Sequence, residues 1–168
     1  MPSAPRAVSE SPSADLFSLL PGADYADCYA VTLPDASIDA RAGADRIFGR
    51  PPAPWVAILL SLRDAVAAGL GLKTAADGRG RPGTIGMFPV ISSSGTRVVL
   101  GMDDAHLNFV VVVDAAHPTA TETTIRMSTL VRTHNRLGRI YLAAILPFHR
   151  LIARHFAQRA TRRDASGR

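Results

Sequence analysis

The sequence predicts an α+β domain in which a curved antiparallel sheet wraps around one long C-terminal helix. Three observations predict it. From Arg132 to Phe156 the chain keeps helical hydrophobic spacing, with Leu137, Ile140, Tyr141, Ala144, Phe148, Leu151, Ile152 and Phe156 forming one broad apolar stripe. From Thr121 to Arg132 it alternates like a strand, with Ile125, Met127, Thr129 and Val131 on one face and Thr124, Arg126, Ser128 and Arg132 on the other. The links between successive strand-like runs are too short for parallel crossovers, so the sheet is antiparallel.

Taken in order, residues 1–21 read as a disordered tail, because 1–14 (MPSAPRAVSESPSA) are rich in Ser, Pro and Ala and hold no apolar segment. A single domain follows over 22–160, and 161–168 form a basic C-terminal tail. Asp24–Leu33 is rich in strand formers and ends at Pro34. Two short helices come next. Ser37–Phe48 is the first; Pro51-Pro52-Ala53-Pro54 then breaks the chain. The second, Trp55–Ala68, places Trp55, Ile58, Leu59, Leu62 and Val66 on one stripe and stops at Gly69 and Gly71. Residues 73–83 are a polar, glycine-rich loop. Strands are expected over Thr84–Ser92 and Thr96–Met102, joined by Ser93-Ser94-Gly95, then over His106–Ala115 and Thr121–Arg132. Asn135 stands where a helix N-cap is wanted, and Gly138 lets the helix approach a strand closely. Pro147 removes a helical hydrogen bond, so the helix should kink or restart there.

Composition sets the class. The chain has 168 residues, 47% apolar and 20% charged, which fits one soluble globular domain. Its lone Cys28 rules out an internal disulfide and a cysteine-rich metal site, and suits a reducing, cytoplasmic location. No secretory signal is visible, and the longest apolar run of the helix, Ile140–Phe148, is roughly half of the ~20 residues a membrane span needs. The net charge of +5 is uneven: residues 132–168 carry nine Arg and one acid, Asp164. A solvated helix face with an arginine-rich tail is the plain reading. Docking on an acidic partner, or transient contact with an anionic membrane, is the other. Nucleic acid is not expected, because no aromatic residues interleave with the arginines of the tail.

Several constellations invite chemistry. Gly78–Gly83 (GRGRPG) fits a dinucleotide fingerprint by letter, but a strand follows it where a helix is required, so it reads as a loop. Asp104 and His106 share one face of an extended chain. They read first as a polar turn between strands and second as an acid–base pair, the carboxylate raising the basicity of the imidazole. A metal site from the same residues would need His134 or His149 to converge on them; no metal and no cofactor are expected. Cys28 with His134 and Asn135 lacks the local signatures of a cysteine hydrolase, so Cys28 reads as a small buried residue. Arg139 is too near its helix N-terminus to gain from the dipole. It reads as the partner of Asp103 or Asp104, or as the anchor of a ligand carboxylate. Met87, Phe109, Met127, Thr129, Tyr141 and Phe148 fall between sheet and helix, as core or as the wall of a pocket whose polar rim holds Asn135 and Arg139.

A long helix gripped by a curved antiparallel sheet is the helix-grip architecture. The pieces GMDDAHLNF (101–109), STLVRTHNRLGRIY (128–141) and LPFHRLIARHF (146–156) resemble a bacterial family known as domain of unknown function 2867, a resemblance covering roughly 22–160. That family is grouped with START-like and polyketide-cyclase-like helix-grip proteins, so the resemblance implies this fold and carries no activity. The wider group binds lipids, sterols or polyketides, or cyclises them. Three functions remain in view: a module holding a hydrophobic or amphipathic small molecule, with Tyr141 or Arg139 fixing its polar end; a cyclase- or aromatase-like enzyme using Asp104 and His106; and an interaction protein docking through its arginine-rich C-terminus.

Overall fold

The structure, a computed structural model, describes residues 5–69, 82–103 and 106–162. It has a seven-stranded, curved, antiparallel sheet with a long C-terminal helix laid across it, a helix-grip-like α+β arrangement. The strands are β1 (Val8–Glu10), β2 (Tyr25–Leu33), β3 (Thr84–Ile85), β4 (Phe88–Ser93), β5 (Arg97–Asp103), β6 (Leu107–Thr119) and β7 (Glu122–Thr133). They lie side by side in the order β1-β2-β7-β6-β5-β4-β3. The helices are α1 (Ala40–Phe48), α2 (Pro54–Gly69) and α3 (Arg136–Gln158), with 3-10 turns at Ala14–Ser18 and Arg159–Thr161.

The expected strand over Thr84–Ser92 is a tight hairpin instead. Gly86 takes φ +61° between β3 and β4, a backbone state that L side chains rarely adopt, so Ile85 and Phe88 face each other across the turn. At the other end of the meander, β7 carries the phase read from the sequence. Ile125 and Met127 face the main core together with Val111 and Val113 of β6. Val110 and Val112 point the other way, into a second cluster with Val99, Leu130, Leu16 and Leu20. The run Phe109–Val113 is unbroken because both of its faces are buried.

That second cluster covers the reverse face of the sheet, and it is built partly from the N-terminal segment expected to be a disordered tail. Leu16 and Leu20 lie on the reverse face, and β1 pairs with β2 from Val8↔Ala30 to Glu10↔Cys28. Polar clamps hold the segment. Arg97 forks onto Asp114 (2.5 and 3.0 Å) and reaches Asp15 at 2.7 Å. Arg126 meets Glu10 at 3.0 Å, and Gln158 of α3 bonds both the Ala7 amide and the Pro5 carbonyl at 2.8 Å. Only a few widely spaced apolar residues do this work, too few to raise the hydrophobicity of the stretch.

The two inserted helices are where they were expected, though α2 packs differently. Ile58, placed on its apolar stripe, is exposed, whereas Val56 is driven into the core. In α1, Asp39 caps the first turn by accepting from the Ala42 amide at 2.7 Å, and Ile47 and Phe48 face the sheet.

α3 begins as the sequence indicates. The Asn135 side chain accepts from the Gly138 amide at 2.9 Å, closing the first turn. A Cβ at Gly138 would lie 2.2 Å from the His106 carbonyl oxygen, so only glycine lets the helix start this close to the sheet. Of the kink or restart expected at Pro147, the restart does not occur: α3 is one helix through it. Its buried residues fall in two groups, Gly138, Tyr141 and Leu142 near the start and Ala153, Phe156 and Ala157 near the end. Ile140 (67% exposed) and Leu151, assigned to the apolar stripe, face outward. Among the described residues, no helix is long and apolar enough to cross a membrane.

Replacing Leu16 with Ala should lower the unfolding free energy by about 2–4 kcal/mol in a urea titration, the range for a buried leucine; a freely disordered segment would give no change. Gly138→Ala should cost about 2 kcal/mol or more, because backbone rather than a flexible side chain must yield.

Candidate ligand-binding site

Between its two buried groups α3 does not fill the space above the sheet, and a cavity of about 360 Å3 lies beneath it. Its floor follows from strand register. Phe109 pairs with Val131 and Val111 with Thr129, while Tyr25 and Asp27 of β2 pair with the same two β7 residues. All therefore share the concave face. Leu107 and Met127 extend the floor, and Met87 and Phe88 of the β3–β4 hairpin close one side. The roof is α3, through Tyr141, Ile145, Phe148, His149, Ile152 and Phe156.

One wall carries a polar cluster. The Tyr25 hydroxyl donates to Asp27 Oδ2 at 2.8 Å, and His149 Nε2 meets the same oxygen at 3.1 Å. Because a carboxylate oxygen only accepts, His149 carries its hydrogen on Nε2 and turns Nδ1 into an acceptor when neutral. The Tyr25 and His149 rings meet edge to face at 5.7 Å, and both line the cavity. Asp27 Oδ1 is buried with no hydrogen-bond partner. Burial first, and then the bond to Asp27, push the Tyr25 phenol up to about 12, against the pull of nearby Arg150.

The residues expected at the site divide. Met87, Phe109, Met127, Thr129, Tyr141 and Phe148 all line the cavity. Asn135 and Arg139 do not. Asn135 is held between its cap and His106, donating from Nδ2 to the His106 Nδ1 at 2.8 Å. Arg139 is exposed and makes no hydrogen bond or ion pair with a described residue; its charge falls on Asp24, whose carboxyl is held low first by hydrogen bonds from Thr133 and then by Arg139 and Arg132. Of the pair Asp104 and His106, Asp104 lies outside the described residues, as does most of the 73–83 loop. The described histidine is engaged by Asn135 and lies outside the cavity lining. Cys28 is buried on the reverse face beside Ser128, and burial pushes its thiol up, as suits a structural cysteine.

Sequence reasoning passed over Tyr25 and Asp27 and did not name His149 among the residues of the site. A signal was present. Tyr25, Asp27, Tyr29 and Val31 share one phase of β2, so Asp27 is an acid set into the inward face of a strand. Among the described residues, no group of His, Cys, Asp or Glu is placed to hold a metal.

Spectrophotometric titration at alkaline pH should show Tyr25 ionising near pH 12. Asp27→Asn should bring it down toward the ordinary value of about 10. The linkage has a definite sign. A phenol with a raised folded-state pKa contributes stability that is fully present below about pH 10 and is lost as pH rises toward 12. The loss over that window should be smaller in Tyr25→Phe.

No curated protein and no solved structure matches the chain. Residues 19–156 do match the family described as protein of unknown function (DUF2867), with the grip of sheet on helix, the cavity and the Tyr25–Asp27–His149 cluster all inside that span. The chain belongs to that family.

Proposed function

We propose that this protein binds a small apolar or amphipathic molecule beneath α3, with Tyr25, Asp27 and His149 holding its polar end. One observation supports this above the rest: a buried carboxylate with an unpartnered oxygen stands beside the wall of an apolar cavity. A buried acceptor left unpaired costs about 1–3 kcal/mol. Asp27 stands behind Tyr25 and His149, which line the cavity, so a polar group of a ligand meets the two side chains that Asp27 holds. The cavity volume, about 360 Å3, falls at the lower end of the roughly 300–1,000 Å3 typical of ligand sites, which favours a molecule of modest size. Kinship with START-like and polyketide-cyclase-like helix-grip proteins, as the sequence resemblance implies, is part of this proposal.

A second reading makes the protein an enzyme acting on the molecule it holds. Asp27 orients His149 through Nε2, as a carboxylate orients the imidazole of a general base, and His149 lines the cavity. Asp27 and His149 then take the acid–base role first considered for Asp104 and His106.

The binding reading is tested by native mass spectrometry and by displacement of a fluorescent fatty-acid probe. One exchangeable apolar ligand per chain is expected. Ala144→Trp, which fills the cavity from the exposed side of the roof, should weaken binding at least tenfold with little change in the urea midpoint. Tyr25→Phe should narrow the preference for a long-chain alcohol over the matching hydrocarbon by about tenfold, the worth of one hydrogen bond. Failure of every apolar probe to bind would sink the proposal.

A further inference from the structure

Beyond the cavity, the least compensated group among the described residues is Arg159, in the turn that follows α3. Its side chain is among the largest that are fully buried, 2% exposed. Nη2 donates to the Arg50 carbonyl at 2.7 Å, whereas Nε and Nη1 are buried without an acceptor. The guanidinium lies over the Phe156 ring, 5.3 Å from its centre. No described carboxylate forms an ion pair with it. Burial first, and then the like charges of Arg162 and Arg50, hold its proton affinity down. His155, stacked edge-on against Trp55 at 4.9 Å, feels Arg159 and Arg162 in the same way.

A buried cation surrounded by cations is costly, and proteins retain such groups when an anion completes them. Arginine is the side chain best shaped for this, since its fork of donors matches two oxygens of a carboxylate or phosphate. The C-terminal end of α3 and one carbonyl offer partial compensation only.

We propose that Arg159, with Arg50, His155 and Arg162 around it, is the base of an oxyanion site taking a phosphate or carboxylate group. Arg50 and Arg162 are exposed, so the cluster has a solvent side as well as a buried base. Phe156 joins it to the cavity, because the ring beneath the guanidinium also lines the space under α3. The oxyanion therefore has two sources: free phosphate from the solvent side, or the carboxylate head of an amphiphile whose tail lies in the cavity. The second source rests on the binding function proposed above; the first does not.

Thermal unfolding of the full chain separates them. One arm compares inorganic phosphate with chloride at equal ionic strength, and the other compares decanoate with decanol. Phosphate at about a hundredfold its Kd should raise Tm by about 5 °C or more, a shift largely lost in Arg159→Met. If decanoate stabilises beyond decanol and that excess is lost in the same variant, the head of the amphiphile is the anion. Should Arg159→Met fail to fold, Arg162→Gln, altered at an exposed position, carries the comparison and should at least halve either shift. Decanol alone reports the cavity, so a failed binding function appears there while the phosphate arm stands. The proposal is overturned if neither anion stabilises beyond its control, or if both variants keep the full shifts.

Discussion

A straight helix cannot follow a curved sheet along its whole length, and α3 is held to the sheet at its two ends. At the start, Gly138 lets the first turn press against the His106 carbonyl, while the His134 amide donates to that same oxygen at 2.8 Å. At the end, Ala153, Phe156 and Ala157 sink into the main core beside Phe48 and Ile47. Between these points the helix bridges a gap. The middle of the helix leaves space above the sheet, over which Ile145 and Phe148 hang, and only the longer reach of His149 crosses to Tyr25 and Asp27 of β2. Every feature of the candidate site depends on that bridging, including the place where His149 meets Asp27. Pro147 sits in the bridge, where a missing backbone hydrogen bond does not disturb either anchored end.

The reverse of the sheet is what makes the bridge tolerable. A sheet with one core pays for a cavity out of a single apolar cluster. Here Val99, Val110, Val112 and Leu130 pack under Leu16 and Leu20, so β5, β6 and β7 are braced from behind. Arg97 fixes that cover with bonds to Asp114 and Asp15, which also hold its guanidinium strongly in the charged form. The concave floor can then remain rigid where α3 does not touch it.

Legibility in the sequence followed the range of the interactions. The start of α3 was plain, because Asn135, Gly138 and the apolar spacing act within a few residues. So was β7, whose alternation is local, and four of the expected residues that line the cavity, Met127, Thr129, Tyr141 and Phe148, came from those two periodicities. The cover of the reverse face was not readable, since Leu16 and Leu20 carry no period that points to a sheet far along the chain. Arg139 pointed in sequence to Asp103 or Asp104; Asp24, on which its charge falls, became its neighbour only when β2 was laid beside β7. The bond from Asp27 to His149 spans 122 residues, and neither neighbourhood mentions the other. Arg159 looked like one more member of a basic tail because burial, which sets it apart, belongs to the tertiary structure.

The order of strands also shapes how the molecule assembles. From β3 to β7 each strand pairs with its neighbour in sequence, so that meander can form by closing short loops. Pairing β2 with β7 instead closes a loop of about 90 residues, and β1 has no partner until β2 is in place. Tyr25 and Asp27 arrive with β2, and His149 arrives with the last helix. The polar wall of the cavity is thus built from the two ends of the chain, after the meander between them. A chain released before its C-terminal helix docks would hold a formed sheet and no site, which makes the edge-to-face contact of Tyr25 on His149 a marker of completed folding.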